Sequence, residues 1–263
     1  THRKLLIVDG IIGFTGGVGV ADEWTGHAQD RHHWRDNHYR FKGPIVREMQ
    51  SIFFENWERC GHTAPTETDT RYYPGISPAG NAVTASFFSS PYHNDREILD
   101  LFQSAITTAN DRLWIATAYF MPGEKVLQNL LDASKRGVEV KVLMCGKHID
   151  EAVVRRASRA FWGEMLEAGI ELYEYESTLM HVKMLIVDDE WVSVGSANLD
   201  ARSCRLNEEA VINLYGKEFT DQHATVFETD LKSARRVTFE TWNQRSWWTK
   251  LKDALSSLFR SQL

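Results

Sequence analysis

The sequence is short of cysteine, of basic surplus and of long apolar runs. Three cysteines in 263 residues, Cys60, Cys145 and Cys204, lie far apart. The odd number and wide spacing exclude a disulfide scaffold and the usual zinc spacings, and they point to a reducing compartment. Lys plus Arg is 30 against 36 Asp plus Glu, a formal net charge of −6. That balance argues against a general nucleic-acid coat, though not against a local basic site. No apolar run approaches the roughly 20 residues that span a bilayer. No signal peptide is visible, and the first residue is Thr1 rather than Met. What is present is a globular composition, 43% hydrophobic and 25% charged. It carries enough apolar mass for one large domain or two small ones and is unlike a disordered or collagenous chain.

The order of segments gives the fold class. Leu5–Val8 and Ile11–Phe14 read as two strands joined by a turn at Asp9-Gly10. Gly43-Pro44 opens a helix to about Cys60, with Ile45, Met49, Ile52, Phe53 and Trp57 on one apolar face. Residues 61–80, punctuated by Pro65, Pro74, Pro78, Gly75 and Gly80, form a linker. Strand and helix patterns then alternate: strands at 82–88, 113–118, 138–144 and 170–175, helices at 95–109, 124–135 and 151–168. Such alternation predicts an α/β fold with a parallel or mixed sheet covered by helices. Strands at 184–187 and 191–194 repeat the pattern seen at the start of the chain.

That repeat carries the chemistry. The first copy reads His2-x-Lys4-x4-Asp9, then six residues and Gly16-Gly17. The second reads His181-x-Lys183-x4-Asp188, then six residues and Gly195-Ser196-Ala197-Asn198. A single match to a three-residue pattern is weak, whereas two copies with one glycine offset and one strand context are strong. Positions i and i+2 of a strand share a face, so each histidine projects beside its lysine. Imidazole serves as nucleophile or general acid near neutral pH. The lysine offers a fixed cation to a phosphate oxygen. Two facing copies therefore place two histidines and two lysines around one phosphodiester, with lysine charge doing what a metal does elsewhere. Gly17, Ser196 and Asn198 are candidates to bind the same phosphate through the Gly-Ser-x-Asn turn. Asp9 and Asp188 end strands, where aspartate is a turn former, and stand behind the catalytic pairs.

The duplicated motif resembles that of the phospholipase D superfamily, H-x-K-x4-D-x6-G-[GS]-x-N. The match is nearer to its bacterial cardiolipin synthase branch. HRKLLIVDG, ADEWTG, HWRDNHYRFKGPIV, ATAYFMPG and HVKMLIVDDEWVSVGSANLDARS carry the resemblance, which covers nearly the whole chain. It implies a phospholipase D-like fold of two related lobes: a partial first lobe over 1–60, the linker 61–80, and a second lobe with C-terminal helices over 81–263. It implies phosphatidyl transfer through a phosphohistidine, giving cardiolipin from phosphatidylglycerol, with no cofactor and no metal. His2, Lys4, His181 and Lys183 are then catalytic. Asp36 and Glu209, matched by the stretches Trp34-Arg35-Asp36 and Asn207-Glu208-Glu209, accept hydrogen bonds from the imidazoles and fix their tautomers. Glu208 reads as a surface carboxylate. Gly19 stands where the family usually has asparagine, so Asn198 alone carries that amide contact. Phosphodiester hydrolysis, of lipid or nucleic acid, and a non-catalytic phosphate-binding module are the alternatives. The implied setting is a phospholipid substrate at a membrane surface, the bacterial cytoplasmic membrane, rather than nucleic acid.

Three further expectations concern the rest of the chain. His27, His32, His33 and His38 lack metal-site spacing. Tyr119-Phe120-Met121-Pro122 reads either as core or as the lining of a lipid pocket. The stretch from Trp247 to Leu263 is an amphipathic helix, which docks on its own domain or lies in a membrane interface. Because the first motif starts at residue 2, the His2 strand is expected on an open edge, with Leu5 and Ile7 uncovered, in a fragment of low activity that aggregates or pairs with a partner chain.

Overall fold

A computed structural model gives the fold of residues 1–93 and 96–257. The first copy of the repeat builds β1 (Leu5–Val8), β2 (Ile12–Gly16) and β3 (His38–Lys42), a three-stranded antiparallel sheet in that order, followed by α1 (Ile45–Arg59). The second copy follows β4 (Val83–Ser89), α2 (Glu97–Thr108), β5 (Arg112–Thr117), β6 (Phe120–Met121), α3 (Glu124–Lys135) and β7 (Glu139–Cys145). After these come α4 (Ala152–Ser158), α5 (Trp162–Glu167) and β8 (Glu171–Tyr175). The copy itself is β9 (Lys183–Val187) and β10 (Trp191–Gly195), then β11 (Leu199–Asp200), α6 (Ala201–Arg205), β12 (Glu209–Tyr215) and α7 (Lys217–Leu231). The described chain closes with β13 (Ala234–Val237), α8 (Phe239–Asn243) and α9 (Trp247–Ser257).

The expected mixed sheet has the order β13-β8-β7-β5-β9-β10-β12-β4. Strands β5, β7 and β8 run parallel, and the other pairings are antiparallel. Alternation along its central strands feeds two cores. Leu113, Ile115 and Leu185 face a core shared with α2, α3, α4 and α5. Trp114, Ala116, Met184 and Ile186 face a second core that contains Phe227 of α7 and Phe41, Ile45, Val46 and Met49 of the first copy. Strand β9 is buried along its whole length, as a central strand covered on both faces must be. The first copy thus packs on the same sheet that carries the second.

Local differences from the sequence reading have physical causes. The expected helix over 151–168 is two helices, because residues 160–162 bond to carbonyls three rather than four residues back. The Arg159 carbonyl at that break also accepts from the Trp242 indole, at 3.1 Å. On α1, Phe54 is buried while Phe53 and Trp57 are exposed; with Leu6 and Tyr72 they line a groove of about 810 Å³. Strand β1 lies at the sheet edge, but its register turns Leu6 and Val8 outward and leaves Leu5 and Ile7 half-buried against the second core. The outward pair is therefore the opposite of the one expected. Leu258, Phe259 and Arg260 of the expected C-terminal stripe lie outside the described residues.

Candidate active site

The two copies hold each other's histidines. The His2 backbone N–H donates to the Glu208 carbonyl at 2.9 Å, and the His181 N–H donates to the Arg35 carbonyl at 2.7 Å. One residue further on in each partner segment stands the carboxylate. His2 Nδ1 lies 2.8 and 2.9 Å from the two oxygens of Glu209. His181 Nδ1 lies 2.9 Å from Asp36 Oδ2 and 3.0 Å from the Gly17 carbonyl. Every one of these partners is an acceptor. Each Nδ1 therefore carries the proton, and in the neutral ring Nε2 keeps its lone pair. Lys4 and Lys183 each donate back to the carbonyl of their own histidine, at 3.3 and 2.8 Å, which sets both ammonium groups beside the imidazoles.

The segments before the carboxylates are tied down by reciprocal ion pairs. Arg35 binds Asp230 of α7 through two bonds, at 2.7 and 2.8 Å, and also reaches the Asn37 side chain. Glu208 accepts from Arg59 and from Asn56 of α1. Glu208 is therefore no surface carboxylate: it is 5% exposed and fastens the second copy to the first copy's helix. An isolated carboxylate pays a large desolvation cost, and the α1 donors offset it.

The two imidazoles differ in surroundings. His2 keeps 30% of its side chain exposed, whereas His181 keeps 8%. Rings of Trp24, Trp34 and Tyr119 stand 5.7, 6.0 and 6.4 Å from the His181 ring. Burial, helped by the Lys183 charge and opposed by Asp36, holds His181 below the usual imidazole pKa. Burial also lowers Lys4, against the pull of Glu209 and Asp36. Lys183 is brought down to about 8, mainly by desolvation. The Lys4 charge adds to the lowering of Lys183, while Asp36 and Glu209 favour both ammonium groups.

Several sequence-predicted roles shift. Gly17 does not offer its N–H to a phosphate, because it donates to the Asn37 carbonyl at 3.2 Å. Its lack of a side chain lets Asp36 close in: a Cβ there would fall 2.3 Å from Asp36 Oδ1. Ser196 donates its N–H to the Ala210 carbonyl and its hydroxyl to Glu209, at 3.0 and 2.5 Å. Both residues support the carboxylates rather than line the cleft. Asn198 does line a cavity of about 410 Å³ together with His2, Tyr119, Asp200, Arg202 and Asn207. Asp9 and Asp188 do not stand behind the histidine–lysine pairs. Both occupy hairpin turns at positive φ, 53° and 50°, and Asp188 accepts from the backbone N–H groups of 110–112. At Gly19 the ring of Trp24 occupies the space, 3.0 Å from where a Cβ would lie. Trp24 donates to Asp36 at 3.0 Å, so an indole serves on the side where the motif lacks its asparagine.

Sequence reasoning missed other parts of the site. Ser203 donates to Glu209 at 2.6 Å. Asp200 caps α6 by accepting from the Ser203 N–H, and burial pushes its carboxyl up to about 7. Arg202 enters the cavity beside His2. The run Asn198-Leu199-Asp200-Ala201-Arg202-Ser203, with an N-cap aspartate three residues before a serine, was the available signal. Phe120 and Met121 are core, and only Tyr119 of that group reaches the cavity. Among the described residues no three His, Cys, Asp or Glu side chains group as metal ligands.

The Lys183 ammonium has a consequence in solution. Its charge is present below about 8 and lost above. We expect kcat/KM to fall as pH rises through that range, with the limb for kcat displaced upward because bound phosphate stabilises the cation. Lys183→Arg should flatten the alkaline limb of kcat/KM. An unchanged limb in that variant would assign the titration to another group.

Residues 102–231 match the family profile described as cardiolipin synthase, phospholipase D-like domain. A cardiolipin synthase of Listeria innocua is 34% identical over 257 residues, covering 98% of this chain and 53% of the relative. The chain thus spans about half the length of the curated relatives it matches. In fold, it is similar to phosphatidylserine synthase of Haemophilus influenzae, with TM-score 0.74 and 13% identity over 100% of this chain and 71% of the other. It is also similar to Nuc of Salmonella typhimurium, a phospholipase D family member, with TM-score 0.52 and 21% identity over 60% of this chain and 99% of the other.

Proposed function

From the premise that the chain belongs to the phospholipase D superfamily, we propose that it transfers a phosphatidyl group between phospholipids, making cardiolipin from two molecules of phosphatidylglycerol. The observation that carries this reading is the crossed pair of Nδ1-anchored histidines, each with its lysine. One imidazole Nε2 attacks the phosphorus of the first lipid. A nitrogen–phosphorus bond forms, the bond to the headgroup oxygen breaks, and the second imidazolium gives its proton to the departing glycerol. The second imidazole, now neutral, takes a proton from the hydroxyl of the acceptor lipid. That oxygen attacks phosphorus and releases the first histidine. Lys4 and Lys183 hold the phosphoryl oxygens through both steps, so this scheme assigns the charge stabilisation to the chain's own residues. The reaction takes place at a membrane surface, which we assign to the bacterial cytoplasmic membrane. Among the described residues no helix is long and apolar enough to cross a membrane.

The test is incubation of the full chain with phosphatidylglycerol vesicles and lipid analysis of the products. Cardiolipin and free glycerol should appear in equal amounts. Phosphatidic acid in place of cardiolipin would make water the acceptor and the protein a hydrolase. Absence of both would leave a phosphate-binding module.

A further inference from the structure

The C-terminal helix α9 is attached by its polar side. Asp253 is 3% exposed, with Arg245 at 2.5 Å and Arg159 at 3.9 Å from its oxygens. At about 100° per residue, Thr249, Asp253 and Ser256 share one arc of the helix. Trp247, Leu251, Leu255 and Trp248 fill an arc about 100° wide on the opposite side. These four are 61%, 43%, 53% and 58% exposed. Lys252 borders that arc on one edge and Lys250 lies beyond the other. An amphipathic helix that docks on its own domain turns its apolar face inward; this one turns it outward.

The helix also has a place relative to the chemistry. It packs on α4, and Val154 of α4 lines the cavity that contains His2. The apolar stripe, carried by a helix packed on a wall of that cavity, looks away from the protein body.

Two occupants fit an apolar stripe, a bilayer and a second copy of the chain. A stable protein interface needs about 800 Å² from each partner, more than four side chains on one eleven-residue helix present. Tryptophan together with leucine between lysines is instead the pattern that sits at the headgroup–acyl boundary, with the cations on anionic phosphates.

We propose that α9 lies in the lipid interface, with Trp247, Trp248, Leu251 and Leu255 inserted and Lys250 and Lys252 on anionic headgroups, so that the His2 cavity opens beside the bilayer. The delivery of substrate rests on the proposed lipid reaction; the membrane contact does not.

The experiment is co-sedimentation of the full chain with vesicles of mixed phosphatidylglycerol and phosphatidylcholine. Trp247→Ser with Trp248→Ser should lower vesicle partition about tenfold or more, with the thermal unfolding midpoint unchanged. Brominated lipid should quench tryptophan fluorescence in the wild type and much less in this variant. Leu251→Lys, a milder change, should lower partition in the same direction. Lys250→Glu with Lys252→Glu should remove the preference for anionic vesicles. Turnover of short-chain phosphatidylglycerol dissolved as monomers should be unchanged in all of these. Wild-type partition by the tryptophan variant overturns the proposal. So does a wild-type dimer that the same variant converts to monomer, because then the stripe binds a second copy. A protein that binds vesicles through the stripe yet makes no cardiolipin keeps this proposal and refutes the reaction.

Discussion

Replacing His2 or His181 by alanine should lower turnover by about 10⁴-fold or more, with thermal unfolding little changed. Both losses fall on the same covalent cycle, so either alone should cost nearly as much as both together. Folding should survive because the carboxylates keep other donors. Without His2, Glu209 still accepts from Ser196, Ser203 and Asn207. Without His181, Asp36 still accepts from the Trp24 indole and the Asn37 N–H. A phosphatidyl ester with a nitrophenol leaving group separates the two roles, since such a group departs without a proton. The variant lacking the general acid should release one burst of nitrophenol per site, and the variant lacking the nucleophile should release none. Near-normal turnover in either alanine variant with the natural lipid would remove the two-histidine mechanism.

The parts of this site legible in the sequence are those fixed over short distances. His-x-Lys leading into a strand, a turn aspartate and a glycine seven residues later make one hairpin unit, and a hairpin's geometry is set largely by its own residues. The alternation of helix and strand likewise gave the mixed sheet through periods of 3.6 and 2. What was not legible depends on side-chain packing, much of it between residues 145 to 207 positions apart. No local pattern reveals that Glu209 serves His2 and Asp36 serves His181. Nor does one reveal that Glu208 is buried under Arg59, or that the Ser196 hydroxyl turns back to Glu209 instead of toward the cleft. Trp24 in the space beside Gly19 belongs to the same class. A missing asparagine reads as a gap in the motif until a residue five positions later is seen to fill it.

The crossing itself is open to a direct test through Asp36→Asn and Glu209→Gln. Each should lower kcat by about 10²- to 10⁴-fold, the range expected when an orienting carboxylate is neutralised. The amide still offers one oxygen, but its NH₂ meets donors on every other side: Trp24 and the Asn37 N–H around Asp36, three side chains around Glu209. One way to relieve that conflict is to turn the amide nitrogen toward the ring, which moves the imidazole proton to Nε2 and removes the lone pair from the cleft. The stability cost should be greater at Glu209, fully buried among two serines and Asn207, by about 1–3 kcal/mol. Ring nitrogen chemical shifts distinguish crossed from local pairing. Asp36→Asn should move the resonances of His181 and leave His2 in place, and Glu209→Gln should do the reverse. If Asp36→Asn moved His2 instead, each copy would be holding its own histidine and the crossed geometry would be wrong. Wild-type kcat in both variants would show that neither carboxylate fixes a catalytic tautomer, leaving the duplicated strands and lysines to position the imidazoles unaided.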